Sequence, residues 1–119
     1  MRRVLAVFLL FFIWSFASGC ESRKAGPVQP VTIKVVMKKY SIEPNPIRLK
    51  EGQPVTLEVS TADVQHGFNV QALNIDEPIQ PGKPATLHVT PKQKGQFNVE
   101  CDIVCGPGHD NMQATLIVE

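Results

Sequence analysis

The sequence holds almost no helical signal: along its 119 residues no segment repeats apolar side chains at the 3.6-residue period of an amphipathic helix. Scaffolds built from βαβ units are thereby excluded. Charge of one sign is equally scarce, with 12 lysines and arginines against 11 aspartates and glutamates. That balance supplies no clustered basic surface, so nucleic acid is not a partner. There is no nucleophile with an attached base, no paired carboxylates and no glycine-rich phosphate loop, which leaves the chain without a catalytic site of its own. Cysteine is limited to three residues, and the single tryptophan, Trp14, falls among the first nineteen.

A long spanning segment is missing too. The run from Val4 to Ala17 is apolar except for Ser15 and only fourteen residues long, whereas a membrane-spanning helix needs about 17–25. Behind Arg2 and Arg3 and ahead of small residues, it reads as a secretory signal over residues 1–19. An uncleaved anchor helix and ordinary cleavage nearby are the other readings of this stretch. Ala17-Ser18-Gly19-Cys20 resembles a bacterial lipobox, with Ala17 where that pattern usually has a larger aliphatic residue. The resemblance implies a lipoprotein-type signal and lipid on Cys20, which would anchor the exported protein to a bacterial membrane, facing the periplasm or the cell exterior. Without Arg2 and Arg3 the remainder has ten basic and eleven acidic residues, a net charge of −1.

What remains is one small domain with a single core. Residues 20–30 are polar and hold two prolines. They form a tether reaching roughly 15–20 Å if it behaves as flexible coil. From residue 31 the apolar pattern has period two. Val31, Ile33, Val35 and Met37 share one face; Val55, Leu57 and Val59 share another; Leu87 and Val89 flank an outward His88. Phe97, Val99 and Cys101 alternate with polar residues, and Leu116 and Val118 close the chain. Such runs are half-buried strands. Turn signals at Pro44-Asn45-Pro46, Glu51-Gly52, Gln80-Pro81-Gly82 and Lys94-Gly95 separate them. The fold class is therefore all-β, a Greek-key β-sandwich of seven or eight strands.

The informative residues lie near the end, in Cys101-Asp-Ile-Val-Cys105-Gly-Pro-Gly-His109-Asp-Asn-Met112. Thiol, imidazole and thioether are soft or borderline ligands, suited to copper rather than to hard cations. Cys101 has the parity of Phe97 and Val99, which places its sulfur at the rim of the core. Gly106, Pro107 and Gly108 supply a reversal that returns His109 toward the same point. A mononuclear blue-copper site uses one Cys, two His and a weak Met. This loop has one thiol more and one imidazole fewer, and His66, in Asp63-Val-Gln-His66-Gly-Phe68, is the second imidazole available. The surplus thiol makes sense if two copper ions share two sulfurs. In an exported domain the same two cysteines could instead form a disulfide.

Pro44-Asn-Pro46-Ile47, the segment Asp63 to Phe68, Pro81-Gly82, Gly95-Gln-Phe97 and the whole loop Cys101 to Met112 together resemble cytochrome c oxidase subunit II. The similarity covers residues 31–119 and is greatest to subunit II of the ba-type oxidases. It implies a cupredoxin domain with a binuclear CuA centre. Cys101 and Cys105 would bridge two coppers, with His66 and His109 on one each, Met112 as a weak ligand and the Ile103 carbonyl as another. Many members of the family have Glu where this chain has Ile103, and that Glu helps bind a magnesium ion shared with the catalytic subunit. The usual aromatic residue for electron acceptance from cytochrome c has no tryptophan to supply it outside the first nineteen residues.

The resemblance implies a membrane-tethered carrier of single electrons in a respiratory chain. Its donor would be a c-type cytochrome or another redox protein, and a haem-copper oxidase core a further partner. It would belong to an enzyme only as the subunit through which electrons enter a cytochrome c oxidase. The alternative is a copper chaperone or store for oxidase assembly. Sco-type insertion proteins also use two cysteines and a histidine, but on a thioredoxin-like scaffold that a helix-poor chain lacks. Partner contact is expected through apolar residues near Phe68 and Pro107.

Overall fold

The structure, a computed structural model, describes residues 26–119. The expected signal, Cys20 and the first half of the tether lie outside the described residues. Residues 26–30 are exposed and take no regular structure. The sandwich has nine strands: β1 (Val31–Lys38), β2 (Ser41–Glu43), β3 (Ile47–Leu49), β4 (Val55–Thr61), β5 (His66–Val70), β6 (Ile75–Ile79), β7 (Ala85–Val89), β8 (Gly95–Glu100) and β9 (Gln113–Val118). Single 3-10 turns at Gln71–Leu73 and His109–Asn111 are the only helical elements among the described residues. No helix there is long and apolar enough to cross a membrane.

One sheet has the order β2-β1-β4-β7 and the other β3-β9-β8-β5-β6. Nine strands rather than seven or eight form because the segment from Ser41 to Leu49 changes sheets. Pro44 and Pro46 lack backbone N–H groups and cannot extend a ladder. β2 therefore ends at Glu43 on the first sheet, and β3 restarts at Ile47 on the second, parallel to β9. The Asn45 side chain fixes this corner by accepting the Thr115 backbone N–H at 3.0 Å.

The period-two pattern puts the predicted faces together. Val35, Met37, Val55, Leu57 and Val59 from the first sheet are buried, as are Phe68, Val70, Val99, Leu116 and Val118 from the second. Each large apolar side chain removed from water in this way contributes about 1.5–3 kcal/mol. Val31, the first residue of β1, departs from the pattern and is exposed. His88 is outward as expected, with Nδ1 3.1 Å from Thr56 Oγ1 across the β4–β7 ladder. The start of β5 and the end of β8 meet at one end of the sandwich, bringing His66 to the loop that follows β8.

Candidate metal centre

Cys101 continues the inward parity of β8, and its backbone N–H donates to Met112 O at 3.1 Å. This bond closes the loop from 101 to 112 at its base, before β9 begins. Within the loop, Gly106 has φ +146°, a conformation that side-chain-bearing residues rarely adopt. The reversal leads into the His109–Asn111 turn, held by His109 N–H to Gly106 O at 3.1 Å and Met112 N–H to His109 O at 3.0 Å. His109 is thereby directed back toward Cys105, and Met112 drops into the core with no exposed surface.

The six residues named as candidate ligands lie around the two cysteine sulfurs. The sulfurs of Cys101 and Cys105 are 3.9 Å apart. That is well beyond the roughly 2.05 Å of a disulfide, and both are free thiols. Cys101 Sγ lies 3.7 Å from His66 Nδ1 and 3.1 Å from the Ile103 carbonyl oxygen. Cys105 Sγ lies 3.8 Å from His109 Nδ1 and 3.7 Å from Met112 Sδ. The ligand atoms of His66, Cys101 and Cys105 all fall within 4.8 Å of one another. Two bonds from a first-row ion to sulfur or nitrogen add to about 4.1–4.6 Å. The sulfur–nitrogen and sulfur–sulfur separations here are shorter than the matching sums, so neighbouring donors are close enough to share a metal ion. The cluster of His66, Cys101, Cys105 and Met112 is consistent with a copper site in its ligand chemistry.

Water has little access. Cys101 and Cys105 are 6% and 8% exposed, and His66 and Met112 are fully buried. Burial, reinforced by the neighbouring Cys101 thiol, pushes the Cys105 thiol up to about 11. Loading a metal therefore has to displace that proton. His109 is half-buried, whereas the side chains of His66, Cys101, Cys105 and Met112 are all buried.

Two residues around the centre carry roles that sequence reasoning did not assign. Asp63 Oδ1 lies 2.8 Å from His66 Nε2, and its other oxygen accepts the Lys39 backbone N–H at 2.7 Å. These bonds, that of Lys39 foremost, hold its carboxyl well below the usual carboxylate range. The spacing of three residues before His66 was the available signal. Tyr40 is the second: its ring packs against Gly106 and Gly108, leaving neither glycine room for a side chain. No local pattern ties residue 40 to residue 108. The expectation that Phe68 takes part in surface contact is corrected, since Phe68 points inward from β5 and is fully buried. Val104, 79% exposed between the two cysteines, is the apolar residue at the surface instead.

The family profile of the cupredoxin-like domain matches residues 4–118. A cytochrome c oxidase subunit 2 of Thermus thermophilus is 34% identical over 96 residues, covering 81% of this chain and 70% of that protein. A second subunit 2 from the same species has the same identity over 81% of this chain, which spans only 56% of that relative's length. Among solved structures, the periplasmic domain of subunit II of cytochrome oxidase of Bradyrhizobium japonicum superposes with a TM-score of 0.69. It shares 20% identity and covers 75% of this chain and 83% of that one, a likeness of fold.

Proposed function

The chain belongs to the cupredoxin-like family, resembling cytochrome c oxidase subunit 2 within it, and we propose that it carries single electrons through a binuclear copper (CuA) centre. The observation that supports this most is the pairing of donors around the two sulfurs. Each thiol has an imidazole at 3.7 or 3.8 Å and one weak donor, the Ile103 carbonyl for Cys101 and the Met112 thioether for Cys105. A mononuclear site would leave one sulfur and its imidazole without a purpose.

Two coppers bound there would supply a one-electron couple shared over the pair. The residues do the rest. Cys101 and Cys105 would hold the copper as thiolates, and His66 and His109 would supply the imidazole donors beside them. Backbone bonds across the loop, from Cys101 to Met112 and from His109 to Gly106, fix these side chains in advance. Little then has to move when the charge changes, which favours rapid electron transfer. Burial of four of the six donors keeps water from the sulfurs. His109, half-buried beside the exposed Pro107, would be the imidazole nearer a partner, with Val104 and Pro107 offering the apolar contact.

The domain would work as a carrier exported by the signal at 1–19, tethered through residues 20–30 and held by lipid on Cys20 to a bacterial membrane. It would face the periplasm or the cell exterior. A c-type cytochrome or another redox protein would be the donor and a haem-copper oxidase core an acceptor. Ile103 in place of a magnesium-binding Glu favours a shuttling domain over a fixed subunit. Copper reconstitution tests the centre: a purple protein absorbing in the near infrared is expected, and a colourless one contradicts it. Extraction from native membranes tests the arrangement. Recovery apart from any haem-copper core, with lipid on Cys20 by intact mass, is expected; stoichiometric co-purification with a catalytic subunit would reverse the carrier assignment.

A further inference from the structure

His66 is the only fully polar side chain buried in the core among the described residues, and both of its ring nitrogens are engaged. Nε2 faces Asp63 Oδ1 at 2.8 Å and Nδ1 faces Cys101 Sγ at 3.7 Å. A neutral imidazole has one N–H and one lone pair, and an ionised carboxylate can only accept. The proton therefore sits on Nε2, and the lone pair of Nδ1 is turned to the sulfurs. We propose that Asp63 is a positioning residue for the metal centre, selecting the His66 tautomer that can ligate and holding the ring at the cysteines. This rests on the copper reading above.

Asp63 is itself well fixed. Its Oδ1 accepts the Val64 N–H at 2.7 Å and stands 3.3 Å from Thr61 Oγ1, while Oδ2 accepts the Lys39 N–H at 2.7 Å. The bond to Lys39 has a second consequence. The next residue, Tyr40, packs on Gly106 and Gly108 in the loop that carries Cys105 and His109. One carboxylate thus ties the β4–β5 connection, which supplies His66, to the turn that covers the other half of the donor set. A carboxylate on the outer N–H also makes the inner nitrogen a stronger donor. A stronger donor favours the oxidised metal, so Asp63 lowers the reduction potential.

Long-range proton–nitrogen correlation spectra of the copper-free full chain should show His66 with its proton on Nε2. A proton on Nδ1 would overturn the proposal whatever metal the protein takes. Asp63→Asn keeps the size of the side chain but sets an amide NH2 against a second donor, either the Lys39 N–H or the His66 Nε2–H. Its copper affinity by chelator competition should fall about 10–100-fold, and its reduction potential should rise. Wild-type affinity and potential in Asp63→Asn would overturn the proposal. So would an affinity loss that merely tracks lost stability of the copper-free fold with the potential unmoved. A wild-type chain that takes up no copper would overturn the copper reading instead, and the tautomer would still decide whether Asp63 holds His66.

Discussion

Tyr40 occupies the space that a side chain on Gly108 would need: a Cβ there would lie 2.6 Å from the ring Cγ and 2.8 Å from Cε2. The Gly108 backbone, at φ −93°, is open to alanine. Gly108→Ala should therefore destabilise the protein only through this collision, by about 1–3 kcal/mol. Adding Tyr40→Ala should recover most of that loss in urea unfolding, as expected for residues in contact. Simple additivity of the two changes would show that the ring does not bear on the loop.

The Cys105 thiol supplies a pH dependence. Burial raises it from 9.0 to about 11, so the fold prefers the protonated form. Its contribution to the stability of the metal-free protein is complete below pH 9.0 and is lost as pH rises to about 11. Urea midpoints of the wild type, taken relative to Cys105→Ala, should fall across that interval. Copper affinity should move the opposite way, gaining up to about tenfold per pH unit from this one proton. A flat difference between the two proteins would mean that Cys105 is not buried as described.

Met112 is fully buried core and, on the copper reading, also a donor, and the two roles separate on substitution. Met112→Leu conserves volume, so the copper-free protein should lose less than about 1.5 kcal/mol. The copper-loaded form should nonetheless change its reduction potential, because a weak axial ligand tunes such sites. An unchanged potential and spectrum would assign Met112 to packing alone.

Ile103 presents the reverse case. Its carbonyl faces Cys101 at 3.1 Å, and every amino acid provides that oxygen. Ile103→Glu should preserve the copper spectrum and, because the side chain is half-buried, cost about 1 kcal/mol of stability. Loss of copper binding in this variant would remove the carbonyl from the ligand set.

How much of this was legible in the sequence depends on whether the information is local. Strand parity predicted that Cys101 ends an inward row, and the structure buries it beside Val99. The composition of the loop from Cys101 to Met112 named candidate donors, and the return of His109 toward Cys105 follows from one reversal at Gly106 to Gly108. Strand number was missed because Pro44 and Pro46 read as a turn, not as the point where a segment leaves one sheet for the other. Tyr40 was invisible because its significance lies in a contact with residues more than sixty positions away. Asp63 was visible beside His66, but a carboxylate three residues from an imidazole becomes meaningful only when the β4–β5 turn aims one at the other. Phe68 was misplaced because the sequence near His66 does not say which side of β5 faces the opposing sheet.

The central claim is that the paired sulfurs hold two metals. Elemental analysis of the reconstituted chain, with copper counted against protein, tests it most directly. Two coppers per chain are expected, falling to at most one in Cys105→Ser. One copper per wild-type chain, with a single blue absorption band, would contradict the account.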